Sequence, residues 1–94
     1  MKITWSAAAW TDVGRIYAFL AEHDLDAADH VFDRLLNAPS QLLSFPRRGS
    51  RLSSSENLEV RELRVGNYII RYGLNGDEIQ GSGFFTVARI GLKR

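Results

Sequence analysis

The stretch RELRVGNYIIRY, residues 61–72, sets three arginines among two tyrosines and a run of β-favouring residues. Guanidinium forks match carboxylates and phosphates alike, so a cluster of them is the chain's best candidate for meeting an anion. Arg47, Arg48 and Arg51 lie in the segment that feeds this stretch. Arg61 and Arg64 differ by an odd number, so an unbulged strand sends them to opposite faces of a sheet. Taken singly, each arginine reads as part of a solvated face balanced by Glu59 and Glu62. Taken together, they read equally as a surface for carboxylates or phosphates. Tyr68, Ile70 and Tyr72 share one face by period two and read as core or cross-strand packing rather than a platform for bases.

Other chemistry is thinly represented. Cysteine is absent, which removes disulfides, thiolate zinc sites and cysteine nucleophiles. His23 and His30 are separated by two helical turns, about 10 Å of helix rise, too far for a shared metal. No serine has an evident base to activate it. There is no phosphate loop and no carboxylate pair of distinctive spacing, so neither a metal nor a cofactor is expected.

The chain has 94 residues, 45% hydrophobic and 24% charged, which fits one domain, residues 1–94, with one modest core. The formal net charge of +1 is unevenly spread. Residues 1–44 carry three basic groups against six acids, and residues 45–94 carry nine against five. This polarity is mild for a duplex binder and suits an acidic protein partner at least as well. No apolar run approaches the length of a membrane span, and MKITWS lacks a signal peptide's apolar stretch, so a cytoplasmic protein is expected.

The elements that would position these residues follow from periodicity. MKITW alternates and predicts a short strand, after which Ser6 can cap a helix. Ala9, Val13, Ile16 and Leu20 recur at helical spacing, with Trp10 and Tyr17 on an adjoining stripe. Trp10, Tyr17 and Phe19 leave this helix apolar around much of its circumference, as a surface awaiting a partner would be. Asp24 or Asp26 can cap a second helix carrying Ala28, Val31, Phe32, Leu35 and Leu36, with a break at Pro39 and a further turn beyond it. FPRRGSRLSSSEN reads as loop. LEVRELRVG and NYIIRYGL read as strands joined at Gly66-Asn67, and Asn75-Gly76 predicts a type I′ turn into a last strand. Glycines in GSGFFTVARIGLKR weaken that strand, unless a bulge or turn accommodates them. The expected fold is α+β: an N-terminal strand, then an antiparallel helical hairpin packed on a small antiparallel sheet, in the order β-α-α-β-β-β.

W...A..D...IY.FLAEHD from Trp5, FPRRGSRL, VRELRVGNYIIRY and GDEI, in this order and spacing, resemble the RelE/ParE superfamily of bacterial toxins, most closely its ParE branch. The resemblance covers residues 3 to about 80. It implies the toxin of a type II toxin–antitoxin pair, associated with plasmid stabilisation, and a cognate acidic ParD-like antitoxin that wraps the hairpin and sheet. It implies DNA gyrase as the target, bound and inhibited without catalysis by this chain. The expected antitoxin-binding residues are Trp10, Val13, Tyr17, Leu20, Arg61, Arg64 and Arg71. The expected target-binding residues are Arg47, Arg48, Arg64 and Arg71. A homodimer of the free toxin is compatible with the exposed stripe, and no specific DNA binding by this chain is expected.

The alternative within the superfamily is a RelE-like, ribosome-dependent endoribonuclease of messenger RNA. Such nucleases tend to place a basic residue directly after the hairpin tyrosine and on the strand before it. Here Ile69 follows Tyr68, and the earlier positions hold Val60 and Glu62. RNA cleavage needs proton donors and acceptors with cations about the phosphate, which these positions do not supply. A small binding module without toxicity, or a decayed toxin that still binds antitoxin, is a third reading.

The tail departs from the resemblance, whose members tend to end in something like LHSREDR. Phe84–Gly91, FFTVARIG, can be encoded by TTC TTC ACA GTC GCG AGG ATA GG. Read from the third base, the same nucleotides give Leu-His-Ser-Arg-Glu-Asp-Arg. A frameshifted C-terminus from about Gly81, with toxicity lost, is therefore expected. Gene codons that cannot yield the shifted peptide would exclude it.

Overall fold

The computed structural model describes residues 2–55 and 58–86. Strand β1, Lys2–Trp5, leads into helix α1, Ala7–Ala21, and helix α2, Leu25–Asn37. A 3-10 segment, Ala38–Leu43, follows, then strands β2 (Ser50–Ser54), β3 (Glu59–Val65), β4 (Tyr68–Asn75) and β5 (Glu78–Thr86). The helices start where capping chemistry puts them. Ser6 Oγ accepts from the Ala9 amide, and Asp24 Oδ1 accepts from the Ala27 amide. Each bond satisfies one of the donors left free in a first turn. Pro39 ends α2 and is accommodated at the start of the 3-10 segment.

The five strands form one sheet in the order β1-β5-β4-β3-β2. The expected α+β architecture holds, and the sheet is mixed: β1 pairs parallel with β5, while the other pairs are antiparallel. Two local expectations are corrected. The segment read wholly as loop contains β2, which pairs with β3 although all five of its residues are exposed. An exposed strand of serines and arginine has no apolar alternation to announce it. The second hairpin turns one residue later than expected. Asn75 pairs with Glu78, and Gly76, at φ +64°, takes the first central position. No other described residue of that turn has positive φ, so the turn is type II′ rather than I′. Gly66, φ +60°, does the same between Val65 and Tyr68.

The helical hairpin covers one face of the sheet. Ala9, Val13 and Leu35 from the helices meet Leu63, Ile70, Tyr72, Leu74, Ile79 and Phe84 from the strands. By register, Arg61 shares this face with Tyr72, and the opposite face carries Val60, Glu62, Arg64, Ile69, Arg71 and Phe85. The glycines of β5 are accommodated by a bulge: Arg71 pairs with Gly83 and Tyr72 with Gly81, leaving Ser82 extra. Ser82 Oγ then donates to the Arg71 carbonyl at 3.2 Å. β5 also meets α1 directly, because Asp12 Oδ2 accepts from the Phe84 amide at 3.1 Å. Residues from Val87 onward, which include most of the anomalous tail, lie outside the described residues.

Candidate functional site

The arginines separate into three environments. Arg61 turns inward on the helix-covered side, and its side chain is only 15% exposed. It donates to the Glu59 carboxylate and to the carbonyls of Arg47 and Gly49. Beside it the Tyr72 hydroxyl donates to the Pro46 carbonyl at 2.8 Å and accepts from the Gly49 amide at 3.0 Å. The hydrogen bond from Arg61 holds the Glu59 carboxyl below its ordinary pKa against the opposing effect of burial, and Arg47 lowers it further. Burial pushes the Tyr72 hydroxyl up, with the Gly49 bond opposing, so the proton that reaches Pro46 is retained. Together these groups pin residues 46–49 to the sheet. Arg61 is engaged in that work and holds the loop to the sheet.

Removing the Tyr72 hydroxyl tests this pin. Tyr72→Phe keeps the ring in the core but leaves the Gly49 N–H without an acceptor. A stability loss of about 1–2 kcal/mol is expected, read from urea midpoints, because a buried donor loses its partner. An unchanged midpoint would show that the bond to Gly49 is replaced by solvent at no cost.

The loop so held presents cations. Arg47 pairs with Glu59 at 3.2 Å yet is 67% exposed, so the pair contributes little to stability. Arg48 and Arg51 are exposed and have no carboxylate partner among the described residues. Arg47 and Arg51 also border a cleft of about 640 Å³ with Ser54, Ser55 and Leu58. On the opposite face, Arg71 binds Glu62 through Nη2 at 2.6 Å and Nε at 3.1 Å, and lies 4.9 Å from the Phe85 ring centre. Arg64 shares that face and, among the described residues, donates to the Gly66 carbonyl at 3.2 Å.

The helical hairpin presents the second surface. Trp10 is 50% exposed, Phe19 63% and Leu25 57%, which is unusual for side chains of this size. Tyr17 is half-buried; its hydroxyl donates to Asp29 at 2.7 Å and its ring meets Phe32 edge-on. Leu20 is also half-buried. Val13 is 2% exposed and sits in the core, where it anchors α1 to the sheet. Trp10 keeps an accessible face while its ring edge meets Trp5, 6.4 Å between centres.

Two residues were assigned no role from the sequence. Asp12 lies three after Ala9 and four before Ile16, so a charge on the apolar stripe was the available signal for its bond to β5. Arg34, at the end of α2, packs against Gly66 across the fold, and nothing local announces that. For proton transfer the sheet offers little: Glu62 is tied to Arg71, and both histidines stand on the helical hairpin, exposed. No group of His, Cys, Asp or Glu among the described residues is arranged to hold a metal.

Cationic loop, apolar hairpin and mixed sheet can now be set beside known proteins. The family model for the ParE toxin of the type II toxin–antitoxin system, parDE, matches residues 3–91. This chain belongs to that family. No individually curated protein matches it. Among solved structures, the chromosomal ParDE TA system from P. aeruginosa matches with a TM-score of 0.72 at 18% identity, covering 93% of this chain and 96% of that one. At that identity the likeness is one of fold. The ParE-family assignment makes the chain a toxin-system component with an antitoxin partner, and no helix among the described residues is long and apolar enough to cross a membrane.

Proposed function

We propose that this ParE-family chain acts in the cytoplasm as a gyrase-directed toxin, neutralised by an acidic ParD-like antitoxin, and that it works by binding rather than by catalysis. The carrying observation is the contrast between its surfaces and its chemistry. Exposed Trp10 and Phe19 and the free guanidinia offer contacts to a partner. The position after Tyr68 is Ile69, buried at 7% exposure, and Glu62 is neutralised by Arg71. An endoribonuclease would need a free acid, a free base and cations about one phosphate. Trp10, Tyr17 and Leu20 serve the antitoxin on this reading, together with Arg64 and Arg71, while Arg47 and Arg48 face the target with the same two arginines. A homodimer of the free chain would use the same hairpin face.

The reading includes a C-terminus altered by a frameshift, with toxicity lost. Either reading frame supplies an apolar residue at position 84, Phe or Leu, so the buried end of β5 is filled in both cases.

The test uses purified gyrase and a translating extract in parallel, with the chain carrying the LHSREDR tail. Accumulation of gyrase–DNA cleavage complexes with intact messages is expected. Cut messages with unaffected gyrase would overturn the proposal in favour of the ribosome-dependent nuclease.

A further inference from the structure

The loop pinned by Arg61 and Tyr72 belongs to a stretch without acids: no aspartate or glutamate occurs between Asp33 and Glu56. The Arg48 amide donates to the Phe45 carbonyl at 3.0 Å and closes a turn. Ser44, Phe45, Pro46, Arg47 and Arg48 together line a hollow of about 420 Å³. Phe45 is 61% exposed there, although its loop is held tightly. The hold is close, because a Cβ on Gly49 would overlap the Glu62 carbonyl and the Tyr72 hydroxyl. Arg47 also lines the 640 Å³ cleft with Arg51, so the hollow and the cleft share one arginine. By register Arg51 stands beside Arg61, and Ser54 beside Glu59. Glu59 is the acid lining that cleft, and Arg61 and Arg47 both bond it. Three guanidinia thus meet one carboxylate. Asn75 and Gly76 lie at the cleft's far end, with Asp77 next in the chain. The acids of α2, Asp26, Asp29 and Asp33, are separated from the loop by the acid-free 3-10 segment.

We infer that residues 44–54 form a track for a single-stranded nucleic acid, held by its phosphates and by a base stacked on Phe45, without sequence preference. The inference rests on the reading that Arg47 and Arg48 face the target, and it makes nucleic acid the part of a gyrase–DNA complex that they touch. Phe45 decides between a phosphodiester strand and an acidic peptide. Every base has a face that stacks on an aromatic ring, and each is followed by a phosphate. The hollow sets an exposed ring beside two guanidinium forks, which matches that alternation. An amphipathic acidic peptide needs an apolar groove, whereas the cleft offers chiefly arginine, serine and asparagine. Apolar surface of that kind stands on the hairpin instead, at Trp10 and Phe19. Asp77 repels phosphates at the far end of the cleft, so the strand runs from Arg51 towards Phe45. Arg47, Arg48 and Arg51 contact about three phosphates, which makes binding weak and steeply dependent on salt.

Fluorescence anisotropy of a dye-labelled oligothymidylate, titrated with the full chain at several salt concentrations, reads affinity and salt dependence together. The slope of log affinity against log salt should be about −2, from three contacts at about −0.7 each. Arg48→Gln and Arg51→Gln should each flatten it by about 0.7. Phe45→Ala should weaken binding about fivefold or more with the slope unchanged, because stacking releases no counterions. Lys2→Gln, on the opposite edge strand of the sheet, should change neither. All four side chains are exposed, so urea midpoints close to the parent's are expected and confirm that each variant is folded. Parent-like affinity of Phe45→Ala would overturn the inference, as would slopes unmoved by both arginine variants. Poly-glutamate of matched charge competing as well as unlabelled oligothymidylate would overturn it too, and would give the track to an acidic peptide. The gyrase reading is tested separately, by cleavage complexes, so the two can fail independently.

Discussion

Replacing Gly81 by alanine is expected to destabilise the protein by about 3 kcal/mol, the upper part of the range for overpacking a filled site. The usual expectation has the opposite sign. Gly81 does not have a left-handed φ, and alanine at such a position ordinarily stabilises by about 0.4–1 kcal/mol through the unfolded chain. The steric term decides. A Cβ on Gly81 would overlap the six-membered ring of the Trp5 indole, at Cε3 and Cζ3. That ring cannot swing away freely, because it stacks on Phe84 with 5.1 Å between centres and packs against the core. Moving it also disturbs β1, whose pairing with β5 brings Trp5 opposite Gly81. Against a total stability of about 5–15 kcal/mol, this is a large loss. Urea unfolding of Gly81→Ala, Trp5→Ala and the double variant gives the decisive comparison. Gly81→Ala should cost far less once the indole is gone, a coupling expected only between residues in contact. A parent-like midpoint for Gly81→Ala would mean that Trp5 has room that the geometry denies it.

That glycine illustrates what could be read in advance. The sequence marks GSG as a weakness in a strand, and locally it is one. Its compensation comes from Trp5, at the other end of the chain, through a parallel pairing that no local pattern encodes. The helices were legible because apolar spacing and capping residues are local: Val13 and Leu20 mark one stripe, and Ser6 and Asp24 begin each helix where their side chains can accept. The β3–β4 hairpin was legible for the same reason. β2 was not, since its five residues are exposed and its pairing is wholly through the backbone. Among the candidate site residues, exposure of Trp10 followed from an apolar stripe wider than the core can use. The fate of Arg61 did not, because sequence alternation says which face it takes but not that the carbonyls of Arg47 and Gly49 wait there.

The largest biological effect is expected from the tail. Inducing this chain alone should leave growth unaffected, and inducing a version with LHSREDR at positions 84–90 should stop it. The physical case begins at position 84, which is 4% exposed and meets Trp5. Leucine there keeps an apolar filling but loses the stacked ring, so the fold is retained with a modest stability cost. At position 85 histidine replaces the Phe85 ring beside Arg71. The guanidinium then keeps its bonds to Glu62 while gaining a polar neighbour on the same face. Position 86 exchanges threonine for serine, and the last four positions exchange Val-Ala-Arg-Ile for Arg-Glu-Asp-Arg, turning a mostly apolar stretch into a fully charged one. Such a change alters what the end of the chain can touch far more than whether the sheet forms. Cooperative melting of both versions, the second only modestly lower, with arrest only in the second, would assign the lost activity to that surface. Arrest by the unaltered chain would refute the inactivation and place the toxic surface within the strands and hairpin already described. Silence from both, with each chain folded, would count against a toxin acting on that host's gyrase. The arginine-rich strands would then be left with the antitoxin as their only proposed anionic partner.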